Sequence, residues 1–340
     1  MDLSVWDVME NDWPSKGDLS EKIKFLLRYA ILAPSGHNTQ PWLFRISQNS
    51  IELYADRTRR LPIVDPQDRE LIIGCGCALY FLKIAARKFA YRAQVNEFPD
   101  PTSNDLLASI NIFPAEQPSS DELKLFDAIL RRHTNRNKFE TRELSQETIN
   151  RLIATANQAD SWLRLISDGD ERHAIADLVA QGDRAQASNK YFRRELSSWV
   201  HPNRSQHLDG MPGYAFGVGD FASHLGPFVM RTFDWGNGQA SKDTALALDS
   251  PVLAVLGSKL DTELSWLTAG QVLARILLQA ASEGISASFL NQPIELEGLR
   301  TKLIELLHAD GYPQILLRLG YGPEIKPTPR RGVEEILVFS

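Results

Sequence analysis

The sequence predicts an α+β fold in which one chain contains two related halves. Helix-like and strand-like segments alternate with short connections along the 340 residues, which is typical of layered α+β architectures. Two pairs of segments also resemble each other in the same order, which indicates an internal repeat. The length suits two modest lobes or one large domain.

The first repeated unit is a helix followed by a strand, in residues 19–46 and again in residues 144–166. Asp18 and Glu21 have the spacing of a capping box, and Ser145 can cap the later helix. The aligned pairs are Leu26 with Leu152, Leu27 with Ile153, Ala30 with Ala156, Ala33 with Ala159, and Trp42 with Trp162 after a gap. We expect Trp42 to anchor its strand in the core.

The second repeated unit aligns without gaps, residues 76–99 on residues 270–293. The recurring pairs are Gly76 with Gly270, Leu79 with Leu273, Ala86 with Ala280, Ala93 with Ala287, and Pro99 with Pro293. Both copies have apolar residues at helical spacing, then a short extended segment. Strand candidates follow at 107–113 and 314–320. The alternative is a chance match between Ala- and Leu-rich helices.

These repeats predict halves at 1–120 and 121–340, joined across the Pro- and Ser-rich linker 114–122. The second half is longer because of residues 199–243, the insert, which is rich in Gly and aromatic residues and carries little periodicity. Such a long irregular stretch is usually functional or disordered, and its aromatic residues argue against plain disorder.

Composition excludes several classes of protein. The net charge of −6 gives no basic balance for nucleic acid or an anionic membrane. The acidic start of the chain does not read as a signal peptide, and the apolar windows are shorter than the roughly 20 residues that span a bilayer. Cys75 and Cys77 are too close for an ordinary disulfide and lack partners for a zinc site. We therefore expect a cytoplasmic protein without a metal site, whose thiols pack between helices.

Two clusters of cationic residues are candidates for phosphate binding. Arg132, Thr134 and Arg136 lie at alternate positions, so an extended segment would point all three the same way. Guanidinium forks with a hydroxyl suit phosphate oxygens, although a solvated basic turn is the alternative. Arg330 and Arg331 follow two prolines that hold the backbone extended, with an ordinary surface tail as the alternative.

The stretch APSGHNTQPW at residues 33–42 is the candidate for contact with a flat ring. The amide of Asn38 offers a donor and an acceptor in one plane, which complements the edge of a cyclic imide. Ser35 can donate or accept nearby, and Gly36 allows close approach of the backbone. His37 and Gln40 are either ligand groups or turn residues.

Together these segments resemble the nitroreductase superfamily of FMN flavoproteins. The stretches 33–42, 131–139, 270–293 and 320–331 carry the likeness in order over nearly the whole chain. Residues 59–79, 290–295 and 328–331 resemble the Acg-type branch in particular, in which two nitroreductase-like halves are fused. The resemblance implies a nitroreductase-like fold, with the halves packed as a tandem pseudo-dimer.

The resemblance also implies which residues hold FMN. The matching positions are Arg132, Thr134, Arg136, Arg330 and Arg331 for the phosphate, Pro34, Ser35, Gly36 and Asn38 for the ring, and Asn291 and Gln292 where backbone amides approach the flavin. A second FMN site cannot be assembled from the remaining segments. Residues 11–22 of the first half lack the arginine motif, and residues 156–162 of the second half lack the ring loop. We therefore expect one FMN per chain.

The function that the resemblance implies is two-electron reduction of a nitroaromatic or quinone-like acceptor by NAD(P)H. No catalytic side chain is implied, because the chemistry belongs to the flavin. In the Acg-type branch a segment of the second half forms a lid over the flavin, so the insert could instead make this a flavin-sequestering protein. Either a monomeric pseudo-dimer or a homodimer is compatible with these expectations.

Overall fold

A computed structural model describes residues 2–47, 50–157 and 160–338. The helices are α1 (Leu19–Ala30), α2 (Arg69–Lys88), α3 (Ser120–Asp127), α4 (Gln146–Ala156), α5 (Gly169–Ser188), α6 (Lys190–Ser198), α7 (Asp220–Ser223), α8 (Gly226–Thr232), α9 (Gly236–Asp249), α10 (Glu263–Ser282), α11 (Gln292–Glu295), α12 (Glu297–Leu307) and α13 (Val333–Ile336). The strands are β1 (Trp42–Ser47), β2 (Ser50–Ala55), β3 (Tyr91–Glu97), β4 (Leu106–Pro114), β5 (Ser161–Ile166), β6 (Val200–His201), β7 (Met211–Pro212), β8 (Val252–Ser258), β9 (Ser286–Phe289) and β10 (Tyr312–Gly320).

Two antiparallel sheets of four strands share one topology. The first sheet has the order β1-β2-β4-β3, and the second has the order β5-β8-β10-β9. In each sheet the first two strands along the chain are neighbours, and the fourth lies between the second and the third. The α+β prediction is confirmed, and the chain consists of two halves with the same arrangement of strands.

The local sequence signals account for the ends of several elements. Helix α1 begins with a capping box between Asp18 and Glu21, and the Ser145 side chain accepts a hydrogen bond from Thr148 N at the start of α4. Trp42 is fully buried at the start of β1, as expected. Cys75 and Cys77 are both buried in α2, and each thiol donates to a backbone carbonyl.

The repeated segments occupy equivalent elements, with one departure. Residues 76–99 include most of α2 and all of β3, and residues 270–293 include most of α10 and all of β9. The departure is at the end of the match, where Pro99 lies in a loop after β3 and Pro293 lies in α11. Ala159, the predicted counterpart of Ala33, is outside the described residues.

Helices α2 and α10 cross at two glycines and join the halves. A Cβ on Gly76 would lie 2.2 Å from Leu267 O, and a Cβ on Gly270 would lie 2.1 Å from Ile73 O. The crossing is therefore so close that no side chain fits at either position. One continuous hydrophobic core extends from this crossing under both sheets.

The final segment of the chain returns to the first half. Trp6 Nε1 donates to Thr328 O at 2.9 Å, and Leu337 forms a parallel bridge with Phe44 on β1. The segment from Thr328 to Leu337 is therefore held against the first half. This crossing carries Arg330 and Arg331 to the loop that precedes β1.

The prediction that the insert is irregular was wrong. It contains β6, β7, α7, α8 and the first part of α9. Its apolar side chains pack with those of α6 and with Leu61 and Val64 of the first half. The periodicity is weak because the elements are short, so none presents enough turns to show a helical pattern.

Within the described ranges, no helix combines the length and the apolar character required to cross a bilayer.

We predict that Gly270→Ala destabilises the protein by about 1–3 kcal/mol, because the added methyl overpacks the crossing with Gly76. The matched control is Gly298→Ala in α12, where a Cβ meets nothing within 4 Å. The control should be neutral or stabilising by up to about 1 kcal/mol, since alanine favours helices. Urea unfolding measures both variants, and equal stabilities would contradict the close crossing.

Candidate functional site

A cavity of about 850 Å³ lies between the two halves and is the candidate site. This volume is within the range of small-molecule and cofactor sites. The first half contributes Pro34, Ser35, Gly36, His37, Glu70, Ile73, Gly74 and Cys77. The second half contributes Thr134, Arg136, Asp183, Gln186, Leu273, Phe289, Asn291, Gln292, Glu295 and Ile315, and the insert adds Met211, Phe216, Leu225, Val229, Met230, Trp235 and Lys242, among others.

The loop before β1 is strained. His37, Asn38 and Gln40 have φ angles of 48°, 57° and 52°, a left-handed region that costs non-glycine residues about 1–3 kcal/mol each. Ser35 Oγ stabilises the turn by accepting from Gln40 N at 2.8 Å. The packing of this loop on α2 is close, since a Cβ on Gly74 would lie 3.2 Å from that of Ser35. A strained loop at a cavity is a mark of a functional site.

His37 and Gln40 have different environments. His37 lines the cavity, and its buried Nδ1 has no hydrogen-bond partner. Burial and the charge of Arg136 lower the pKa of His37 to about 4, so its ring is neutral at pH 7. Gln40 is fully buried and donates to Leu208 O. Gln40 is therefore a turn residue, whereas His37 can contact a ligand.

Asn38 does not line the cavity, contrary to its predicted contact with a ring. Its side-chain oxygen accepts from Arg330 Nη1 at 2.6 Å, and its nitrogen donates to Gly210 O at 2.8 Å and to Pro329 O at 3.1 Å. The amide instead positions Arg330.

The segment after α3 runs beside β9. Two of its three predicted phosphate ligands face the cavity. Thr134 forms a bridge with Ala287, and Asn135 N donates to Ala287 O at 2.9 Å. Thr134 and Arg136 both line the cavity. Arg132 does not line the cavity, and its backbone N donates to Ala128 O in the turn that ends the helix.

Three arginines of the predicted phosphate set are buried, and of these Arg136 lines the cavity, whereas Arg132 and Arg330 do not. Arg132 and Arg330 are each only 4% exposed, and both have a buried Nε without a hydrogen-bond partner. Arg136 donates to Met211 Sδ and stacks 4.9 Å from the ring centre of Phe216. Among the described residues, none of the three forms an ion pair with a carboxylate.

Burial lowers the pKa values of all three arginines. Burial lowers the pKa of Arg132 and that of Arg136 to about 10. Burial and the charge of Arg132 lower the pKa of Arg330. Uncompensated buried cations are costly, so a bound anion would stabilise this arrangement.

Arg331, predicted as a fifth phosphate ligand, is outside the cavity lining. Its Nη1 lies 3.7 Å from Asp56 Oδ2 and donates to Gln40 O, and its Nη2 donates to Glu335 O. Arg331 is therefore satisfied by contacts within the protein. It fastens the C-terminal segment to the strained loop.

Asn291 and Gln292 also line the cavity. Asn291 Oδ1 accepts from Leu316 N at 3.0 Å, and its Nδ2 donates to Glu70 at 3.2 Å. Gln292 Nε2 donates at 3.0 Å to Asp183 and to Asp243, which fixes the orientation of the amide. Gln292 Oε1 is buried without a partner, so it can accept a hydrogen bond from a ligand.

Three acidic residues that line the cavity were not predicted from the sequence. Burial, and then the charge of Asp243, raise the pKa of Asp183 to about 7. Burial also raises the pKa of Glu70 and that of Glu295, and in Glu295 the charge of Glu70 raises it further. Glu70 and Glu295 lie in stretches that carry the Acg-type resemblance, 59–79 and 290–295, but neither was singled out there, and Asp183 lies in no such stretch.

No family model matches the chain, but comparisons with individual proteins find relatives. It is 32% identical over 323 residues to "Putative NAD(P)H nitroreductase Rv3131" of Mycobacterium tuberculosis, a match that covers 94% of this chain and 91% of the relative. It is 26% identical to "Putative NAD(P)H nitroreductase acg" of the same species over 93% of this chain and 95% of the relative. It is 21% identical to "Probable NAD(P)H nitroreductase PigM" of Serratia sp., covering 92% and 91%.

Solved structures give partial likenesses. A nitroreductase with bound FMN from Bacteroides fragilis has a TM-score of 0.38 and 11% identity, covering 61% of this chain and 92% of that one. A BluB-like flavoprotein from Clostridium difficile has a TM-score of 0.42 and 16% identity, covering 64% and 98%. The family assignment depends on the sequence relatives: the chain belongs to the nitroreductase superfamily and has Acg-like relatives.

Proposed function

We propose that this chain is an FMN-binding oxidoreductase of the nitroreductase type, with one FMN per chain. It would reduce a small organic acceptor, such as a nitroaromatic or quinone-like compound, with electrons from NAD(P)H. The observation that supports this most directly is the set of buried arginines without an anion beside a cavity of cofactor size. Membership of the nitroreductase superfamily supports the same reaction class.

The residues fit the phosphate of FMN. Arg132, Arg136 and Arg330 offer guanidinium donors, and Thr134 offers a hydroxyl on the cavity wall. A phosphate would supply the negative charge that the described residues around them do not provide. Asn38 would hold Arg330 in position, instead of the ring contact expected from the sequence.

The rest of the cavity fits a flat heterocycle. Pro34, Ser35 and Gly36 give one wall of small side chains, and the apolar side chains of the insert give another. Gln292 Oε1 and His37 Nδ1 are buried polar atoms without partners, so both could bond to a polar ring edge. The residues predicted for ring contact therefore remain Pro34, Ser35, Gly36, Asn291 and Gln292.

FMN, when bound, supplies two-electron hydride chemistry. The contribution of this chain would be position, charge and exclusion of water. Arg132, Arg136 and Arg330 would retain the cofactor, and the insert would shield the cavity from solvent. Because burial raises their pKa values, the carboxyl groups of Glu70, Asp183 and Glu295 would add less negative charge beside the cavity than exposed carboxyl groups would.

A second candidate function is flavin sequestration with little turnover. The observation in its favour is the large share of the cavity wall that belongs to the insert, including Phe216, Met230 and Trp235. A closed insert would leave no room for an acceptor beside the bound flavin. Both candidate functions require bound flavin. They differ in whether an acceptor can reach it.

We expect Arg132→Ala to weaken FMN binding by about 10- to 150-fold, which corresponds to the roughly 1.5–3 kcal/mol of a lost charged hydrogen bond. The matched control is Arg131→Ala, since Arg131 is the exposed neighbour and donates only to Asp127 O. The flavin-to-chain ratio after gel filtration, and titration with FMN, measure both. Equal FMN affinity in the two variants would remove Arg132 from the phosphate site.

Access to the flavin is tested by anaerobic mixing with NADH or NADPH while flavin absorbance is recorded. The reductase proposal predicts that the flavin absorbance bleaches within seconds and that a quinone then reoxidises the reduced flavin. Absence of bleaching over many minutes would favour sequestration. In that case Leu225→Ala, which trims a 55% exposed side chain on the cavity wall, should accelerate bleaching.

The raised pKa of Asp183 predicts a pH dependence of stability. Between its ordinary value of 3.8 and about 7, the folded state keeps a proton that the unfolded state releases, so its contribution falls as pH rises through this window. Asp183→Asn should flatten that decline. The matched control is Asp177→Asn, at an exposed position of the same helix.

Urea unfolding at pH 4, 5, 6 and 7, at constant flavin occupancy, gives the slope for each variant. A slope in Asp183→Asn equal to that of the control would show that Asp183 is ionised throughout.

A further inference from the structure

Two histidines and an aspartate converge at the start of the insert. His201 is on β6, and His207 and Asp209 are in the loop that leads to β7. The imidazole rings of His201 and His207 stack with centres 4.0 Å apart and planes 7° apart. Within the described residues, these three are the group whose donor atoms could hold one metal ion.

The donor atoms are close to metal-ligand spacing. His201 Nε2 lies 3.5 Å from Asp209 Oδ1, and His207 Nδ1 lies 3.9 Å from the same oxygen. All three atoms are within 4.8 Å of one another. Ligands around a tetrahedral zinc ion, at 2.0–2.1 Å from it, are about 3.4 Å apart. For the three atoms to converge on one ion, the exposed His207 ring would leave its stack on His201 and turn its Nδ1 toward Asp209 Oδ1.

His201 has a buried nitrogen without a hydrogen-bond partner among the described residues. The residue is 9% exposed, and the 3.5 Å contact of its Nε2 with Asp209 Oδ1 is an ionic contact and not a hydrogen bond. Gly210 leaves this atom uncovered, because a Cβ there would lie 2.5 Å from Nε2 and its φ of 66° also favours glycine. An uncovered imidazole nitrogen beside a carboxylate oxygen is suited to a metal ion.

Asp209 is already oriented for this role. Arg59 pairs with Asp209 Oδ2, which leaves Oδ1 facing the two imidazoles, and Arg59 Nε donates to Thr39 O. Partners of this kind behind a ligand fix its orientation and tune its affinity.

We propose that His201, His207 and Asp209 bind one divalent metal ion of the zinc class. Two imidazoles and one carboxylate suit zinc, nickel or copper, whereas magnesium prefers an all-oxygen shell. The exposure of His207, 62% for its side chain, gives the ion an entry path and leaves a coordination position for water.

The ion would fasten the insert to the strained loop at the cavity. Gly210 N donates to Asn38 O at 3.2 Å, and Asn38 Nδ2 donates to Gly210 O at 2.8 Å. The next residue, Met211, lines the cavity and accepts from Arg136. Fixing residues 201–209 therefore restrains the segment that connects the loop with the cavity wall.

The test is calorimetric titration of the full chain with zinc chloride after treatment with a chelator. We expect one zinc per chain, no comparable binding of magnesium chloride, and a zinc affinity at least about tenfold lower in His207→Ala. The matched control is His224→Ala, an exposed histidine of the same insert, which should bind as the wild type does. Zinc should also raise the melting temperature of the wild type and the control, but not that of His207→Ala.

Circular dichroism and flavin content verify that the His207 variant is folded, and His207→Gln replaces it if it is not. Unchanged zinc affinity in the folded His207 variant, equal binding of magnesium, or no binding by the wild type would each overturn the proposal. The readout is independent of flavin chemistry, so failure here leaves the proposed reductase function unaffected.

Discussion

The contact between Gly76 and Gly270 is the constraint on which the rest of the structure depends. Because neither glycine has a side chain, the backbones of α2 and α10 come into direct contact. This contact joins two sheets of the same topology over one core. The cavity lies beside this crossing, with Ile73 and Gly74 from one helix and Leu273 from the other in its wall. A wider separation of the helices would open the cavity. It would also move the loop before β1 away from the cavity residues of the second half.

The site is completed by a segment that crosses between the halves. The C-terminal residues 328–337 pack on the first half, where Arg330 bonds to Asn38 and Arg331 bonds to the backbone of Gln40. The strained loop is therefore held by three separate parts of the chain: its own turn, the C-terminal segment, and the insert at Gly210. Such bracing is what keeps non-glycine residues in left-handed conformations.

The cavity region combines two kinds of buried charged group. Arg132, Arg136 and Arg330 are buried cations that form no ion pair with a carboxylate among the described residues, whereas Glu70, Asp183 and Glu295 are acids whose pKa values burial raises. A ligand with one anionic group and a neutral ring would be compatible with both. This combination is compatible with a mononucleotide flavin.

Sequence alone determined the elements and the family. Capping residues such as Asp18 and Ser145, the helical spacing in α2 and α10, and the burial of Trp42 depend on local propensity and apolar pattern, which neighbouring residues encode. The motifs around Pro34, Arg132 and Arg330 were sufficient for the nitroreductase resemblance, and the relatives confirm it.

Only the tertiary structure decided what those side chains contact. Asn38 bonds to Arg330 and to Gly210 of the insert, and Arg132 is buried without lining the cavity. The insert is ordered because α6 and the first half cover its short elements. The cavity acids and the cluster of His201, His207 and Asp209 acquire their environments from residues distant in sequence, such as Asp243 and Arg59. Desolvation and charge act through space, so the order of residues along the chain does not reveal them.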